Sequence, residues 1–369
     1  WSCTGISCGG DEDWTAAGMS LAPESEQPAE STTWWDTNFL YRRKITFNNA
    51  PSQQTLTNFP VNIFLSQNAN DEGAPNNITY ANVTAQGGDI RFVDADQTTM
   101  LKHEIEKWDT SATSTVWVKI PKLTATSTTD HIWLYYGNTA TSTGEATSSV
   151  WDGHFKGVWH LTATSTAARK FVNSTSSTTL TGIGTNFDSD EYTTTGTKID
   201  GALDFDGTND YIDTPTYSDT DTGTISVIHY YDVLEAAVNR IFGVADNFEF
   251  LIDSTNNYNH DICGSDIITS IAATAAVWTN YSLTWNDTSD FSQAYLNGML
   301  NVTSATALTC NNSGNFLIAF RPGATNGQQF NGKITEVRIS DIVRSADWLQ
   351  AEYRYGLASS TTHTYGTEE

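Results

Sequence analysis

The feature that most constrains this chain is a train of short segments of strand length. "YRRKITF", "FPVNIFLS", "DIRFVD", "STVWVKI", "HIWLYYG", "ALDFDG", "GTISVIHYYDV", "NYSLTWN", "FSQAYLNG", "NFLIAF" and "KITEVRIS" alternate or run apolar, with Gly, Asn, Asp and Pro between them. Segments this short, with turn residues at such close intervals, cannot build a helical bundle and close instead into sandwiches. A chain of 369 residues can bury two cores. The predicted fold is therefore all-β: two jelly-roll β-sandwiches in tandem, residues 34–150 and 151–369, behind an N-terminal extension and linker at 1–33. Period-two alternation turns Val116, Val118 and Ile120 toward a core and Lys119 toward water. Only "SADWLQAEYRYG" reads as a helix, with Ser345 as its cap and Trp348, Ala351 and Tyr355 on one face.

Charge and cysteine usage narrow the function. Lys and Arg number 18 against 43 acidic residues, a formal charge of -25. A polyanion is repelled and a divalent cation attracted, so a nucleic-acid partner is excluded. No apolar run reaches the length of a transmembrane span. The chain opens on Trp1 rather than Met, which predicts a processed, secreted or cell-surface protein. Asn-x-Ser/Thr triplets at Asn77, Asn82, Asn173, Asn280, Asn286, Asn301 and Asn311 agree with an extracellular setting. Cys3, Cys8, Cys263 and Cys310 form no zinc-like cluster. In an oxidising compartment they predict two disulfides, Cys263–Cys310 within the second sandwich and Cys3–Cys8 closing a small N-terminal loop. "WSCTGISC" has no local core and is followed by the tether "ESEQPAESTT". Trp1 and Ile6 are the expected anchors if this segment adds as a strand to a neighbour and builds a filament.

The heptad "DFDGTND", Asp204 to Asp210, has two readings. Asp, Asn and Gly are what a bare hairpin turn needs. A short loop dense in carboxylate, amide and carbonyl oxygens is also what a calcium ion needs. Asp204 alternates with Leu203 and Phe205, which leaves Asp206, Asn209 and Asp210 as the loop ligands. A glycosidase needs two carboxylates across a cleft. Glu104 and Glu106 offer such a pair, but they alternate in a strand-like segment and read as a solvated face. No nucleophile elbow, zinc-binding His-Glu pair or phosphate loop occurs, so no enzyme is expected. Trp34, Trp35, Trp117, Trp133, Trp278 and Trp285 lie in strand patterns, where most read as packing rather than as sugar platforms.

"GALDFDGTNDYIDTP", "VWTNYSLTWN", "AYLNG" and "FNGKITEVRISDIVRSADWLQAEY" fall in the order of a laminin-G-like module of the concanavalin A-like lectin superfamily, which residues 196–356 resemble. Residues 34–161, with "GGDIRFVDAD", "HEIEKWD" and "VWDGHFKGVWHL", resemble an uncharacterised domain that precedes such modules in bacterial and archaeal surface proteins. The resemblance implies a jelly roll that binds a glycan or a protein, often with structural calcium. It favours the cation reading of the heptad. Thr335 stands where the family commonly has an acid, and Glu336 remains as a further expected ligand. The expected function is an extracellular carbohydrate-binding or adhesive surface protein, and self-assembly is a further expectation. The alternatives are a glycan-active enzyme and a non-binding structural spacer. Within "STNNYNHD", Tyr258, Asn259 and His260 are the expected glycan contacts.

Overall fold

A computed structural model describes residues 33–67, 77–162, 170–175, 182–187, 191–193, 197, 199, 201–218, 221–234, 238–245, 248–310, 313–320, 328–356 and 362–369. The chain divides into Trp1–Trp34 and one compact unit, Trp35–Glu369. Trp1, Ile6, Cys3 and Cys8 lie outside the described residues.

In chain order, the first strands are β1 (Tyr41–Phe47), β2 (Leu56–Leu65), β3 (Arg91–Asp94), β4 (His103–Lys107), β5 (Ser114–Leu123) and β6 (His131–Tyr136). Then come β7 (Phe155–His160), β8 (Lys170–Phe171), β9 (Gly182–Thr185), β10 (Tyr192–Thr193), β11 (Ala202–Asp206), β12 (Tyr211–Ser218) and β13 (Thr222–Tyr231). They are followed by β14 (Asn239–Ala245), β15 (Phe248–Ile252), β16 (Asn257–Ile262), β17 (Ser265–Ala272), β18 (Trp278–Asn286), β19 (Phe291–Leu296) and β20 (Met299–Ser304). The chain ends with β21 (Ser313–Ile318), β22 (Asn331–Ser340), helix α1 (Ala346–Gly356) and β23 (His363–Glu368). The predicted all-β class holds, and α1 is the one α-helix among the described residues.

The first sandwich faces sheet β23-β1-β6-β3 against sheet β2-β5-β4. Val116, Val118 and Ile120 lie in its core as the alternation requires, and β2 pairs Ile63 with Val116 and Val61 with Val118. The second sandwich faces β10-β11-β22-β13-β18-β19-β20, with β7 also on β22, against β17-β16-β15-β14-β21-β12-β9-β8. Its core interleaves aromatic rings from both sheets: Phe250 stacks on Tyr281 with centroids 4.3 Å apart, and Trp159 on Phe316 at 5.8 Å. Cys263 and Cys310 are disulfide-bonded, as predicted.

Two elements join the sandwiches. Ser345 Oγ accepts the Trp348 N–H, as an N-cap should, and starts α1. The buried side of α1 sets Trp348 against Phe59 and Tyr355 against Phe47, so the helix faces the first sandwich. Beyond α1, the last strand pairs with β1, placing residues 363–368 in the first sandwich although they follow the second in sequence.

Candidate cation site

Leu203 and Phe205 point into the second core, so Asp204 and Asp206 on β11 project from the other face of their sheet. The chain then turns into β12 through Gly207, whose φ is +74° and where an added Cβ would lie 2.9 Å from the Asn331 Cβ. Only glycine fits there without strain. Asp206 Oδ1 accepts the N–H of Thr208 at 2.7 Å and of Asn209 at 3.3 Å, and Asp210 Oδ2 accepts the N–H of Asp206 at 2.9 Å. The loop is thus fastened by its own carboxylates, which is the turn half of the two readings.

Two features go beyond a turn. Asp210 is only 1% exposed, and its Oδ1 has no hydrogen-bond partner. Glu191, just before β10, brings a third carboxylate, and one oxygen from each of Glu191, Asp206 and Asp210 lies within 4.8 Å of the others. Burial, with the Asp206 and Glu191 charges adding to it, pushes the Asp210 carboxyl up to about 7. Burial also opposes the charge of Asp206, but the Thr208 N–H, the Asp210 carboxyl and the Asn209 N–H outweigh it and hold that carboxyl below its usual range. Crowded hard oxygen donors, one of them buried and unsatisfied, fit a calcium ion.

The structure redistributes the other expected ligands. Asn209 sits at the exposed rim with its carbonyl accepting from Asn186 Nδ2 at 3.1 Å. Glu336 is not in this site. Asp206 pairs with Asn331, so Glu336 lies five residues along β22, roughly 16 Å away. There it accepts from Arg338 Nε at 2.8 Å and sits 2.6 Å from His160 Nδ1, buried between the sandwiches. Glu104 and Glu106 are not a solvated face: they meet the same histidine at 3.7 and 3.6 Å. Each also accepts an indole N–H, Glu104 from Trp151 at 2.8 Å and Glu106 from Trp117 at 2.6 Å.

The expected glycan contacts change as well. "NYNHDI" is strand β16 rather than a loop, and Tyr258 and His260 point into the core at 1% and 0% exposure. Tyr258 Oη lies 3.0 Å from His229 Nε2, and only Asn259 keeps part of its surface. Of the tryptophans, Trp117, Trp133 and Trp285 are buried, whereas Trp35 and Trp278 are part-exposed.

Comparison with known proteins agrees with this architecture. Residues 206–350 match the concanavalin A-like lectin/glucanases superfamily, and residues 86–162 match a domain of unknown function (DUF2341). No curated protein matches the chain. Domain 4 of AbnA, a GH43 extracellular arabinanase from Geobacillus stearothermophilus solved with arabinotriose, aligns at 12% identity over 56% of this chain and 98% of its own, with a TM-score of 0.40. The binding domain of Paraclostridial Mosquitocidal Protein 1 aligns at 12% identity over 55% of this chain and 52% of its own, TM-score 0.43. Trypanosoma rangeli sialidase in complex with sialic acid aligns at 11% identity over 70% and 43%, TM-score 0.43, so the chain spans about half or less of the last two. The chain carries a module of the concanavalin A-like lectin/glucanases superfamily at residues 206–350, preceded by a domain of unknown function at residues 86–162.

Proposed function

We propose that the chain is an extracellular, secreted or cell-surface protein whose second sandwich binds a glycan, with calcium held by Asp206, Asp210 and Glu191. The observation that carries this reading is the buried Asp210, whose Oδ1 has no hydrogen-bond partner, in a group of three carboxylates at the start of the superfamily module. When bound, the ion supplies positive charge to these oxygens and fixes the loop between β11 and β12. Asp206 and Asp210 order that loop by their own hydrogen bonds, and Glu191 ties it to the segment ahead of β10. The disulfide supports an oxidising compartment, and no described helix is long and apolar enough to cross a membrane. Binding rather than catalysis is the better reading, because Glu104 and Glu106 are committed to Trp151, Trp117 and His160.

The test combines thermal melting, with and without calcium after exhaustive chelation, and co-sedimentation with a panel of polysaccharides in calcium. A raised melting temperature with calcium and retention on at least one polysaccharide are expected. A melting curve indifferent to calcium removes the ion. Failure to bind any polysaccharide removes the glycan and leaves a structural spacer.

A further inference from the structure

The outer face of the second sandwich carries a row that no strand pattern singles out. Asp204 on β11 pairs with Lys333 on β22, Lys333 pairs with Tyr230 on β13, and Tyr230 pairs with Trp278 on β18. Directly opposed residues share one face of a sheet. That face is turned away from the core of the second sandwich, which Leu203, Ile334, Tyr231 and Tyr281 fill, and along β13 it runs on beneath the first sandwich, whose core takes in Ile228 and against which Trp278 also packs. The row crosses three interstrand spacings, about 14 Å.

Its two ends differ in chemistry. At one end the rings of Tyr230 and Trp278 lie 5.5 Å apart, tilted by 48°, and both are part-exposed. At the other, Lys333 Nζ sits 2.6 Å from Asp232 Oδ1 and 3.1 Å from Asp204 Oδ2, and 5.2 Å over the Tyr230 ring. The three charged side chains keep 20–38% of their surface. Gly332, beside Lys333, brings β22 so close to β13 that an added Cβ would stand 2.2 Å from the Tyr230 carbonyl oxygen. The row is therefore a tightly held surface with ring faces next to fixed donors and acceptors.

A pyranose offers the complementary surface: an apolar C–H face that stacks on aromatic rings and a rim of hydroxyls that bond to carboxylate and ammonium groups. Two carboxylates against one ammonium leave the row negative, within a chain of net charge -25. Uronates, sialates and sulfated sugars are repelled by such a surface. We propose that the Asp204–Lys333–Tyr230–Trp278 row is a subsite for an uncharged polysaccharide, stacked on Trp278 and Tyr230 and hydrogen-bonded through Asp204, Asp232 and Lys333. The proposal rests on the reading of the second sandwich as glycan-binding and adds a site and a sugar class to it.

The experiment is affinity electrophoresis and pull-down of the full chain on neutral polysaccharides (cellulose, chitin, mannan, xyloglucan) and acidic ones (alginate, polygalacturonate, hyaluronan). Retention by a neutral polysaccharide is expected. Tyr230→Ala and Trp278→Ala should each weaken it by about tenfold, while Trp278→Phe, which keeps a ring and its packing, should restore most of it. The melting curve of each variant reports whether it folds, and Tyr230→Ala carries the test if Trp278→Ala does not. Neutral binding that is unchanged in Tyr230→Ala, and in Trp278→Ala where that variant folds, overturns the row and leaves glycan binding standing elsewhere. Preference for acidic polysaccharides overturns the sugar class. Retention on none overturns both readings.

Discussion

At the scale of single residues, Asp210 is where the turn and cation readings can be told apart by experiment. A bare turn does not need its Oδ1, which is buried without a partner, whereas an ion does. A ligand bound only by the native state, at about 100 times its dissociation constant, stabilises it by about 2.7 kcal/mol. Asp210→Asn should abolish that calcium-dependent increment in denaturant titrations while leaving the metal-free protein at least as stable as wild type, because it removes a crowded buried carboxylate. Equal calcium responses in the two proteins count against the site. The heptad was legible because it is contiguous. Glu191 was not, since only the β10–β11 pairing carries it there from a Thr-rich stretch. Tyr258 and His260 do carry a signal: in "NYNHDI" they alternate toward the core with Ile262, while Asn257, Asn259 and Asp261 take the other face. Burial also sorts the glycosylation triplets. Asn77 and Asn173 spend both amide atoms on backbone groups, and Asn280 is 2% exposed. Peptide mapping should find no glycan on these three, whereas Asn301 on β20 is open; a glycan on a buried one contradicts the packing.

At the scale of elements, β4, β7 and β22 meet in a buried charge network whose centre is His160. Facing it are Glu104 and Glu106 from β4, Trp117 from β5 stacked at 5.7 Å, Trp151, and Glu336 from β22. Arg338 also joins, 2.8 Å from Glu336 and 4.6 Å over the Trp117 ring. Burial opposes the charge on His160, but Glu336, Glu106 and Glu104 outweigh it and raise the imidazole well above its ordinary 6.5. Its contribution to stability is full below 6.5 and is lost as pH rises through the raised value. Burial likewise opposes Glu336, but His160 and Arg338 hold it below its ordinary 4.5, so its contribution is present above 4.5 and lost on acidification. Urea denaturation across pH should therefore find the network strongest between about 4.5 and 6.5. Breaking a buried pair costs about 3–5 kcal/mol, so Glu336→Gln should destabilise by roughly that and lower the imidazole titration of His160 seen by NMR. A surface-like loss below 1 kcal/mol, with an unmoved imidazole, refutes the arrangement. The sequence made strands and faces readable, including Val116, Val118 and Ile120, because period two encodes which residues share a face. It does not encode what covers that face. Glu104 and Glu106 read as solvated for that reason, and only the docking of β7 and β22 buries them.

At the scale of the whole molecule, the question is why two sandwiches form one compact unit. The core of the first sandwich continues without a break through Phe155, Val158, Ile228 and Tyr295 of the second and through the buried face of α1. Arg344, just before α1, is held by Asp152 at 2.8 Å and lies 4.1 Å over the Trp348 ring. The return strand closes the unit. β23 covers the side of β1 that β6 does not, and Arg42 pairs with Glu369 at 2.6 Å. Tyr365 donates to the Phe64 carbonyl at 2.6 Å and Tyr136 donates to Glu368. A chain ended at Gly356 loses these contacts and opens the row of backbone groups on β1. An open edge of this kind pairs with other chains unless charge or proline guards it, and β1 carries Arg42, Arg43 and Lys44. The truncated chain should therefore lose hydrogen-exchange protection over Tyr41–Phe47 while staying monomeric in light scattering. Because α1 and the shared core couple the sandwiches, calorimetry should find both unfolding in one transition at a lower temperature, rather than the first melting alone. If the truncated protein keeps Tyr41–Phe47 protected and its melting unchanged, β23 is a dispensable edge and the coupling resides in α1 and the seam alone.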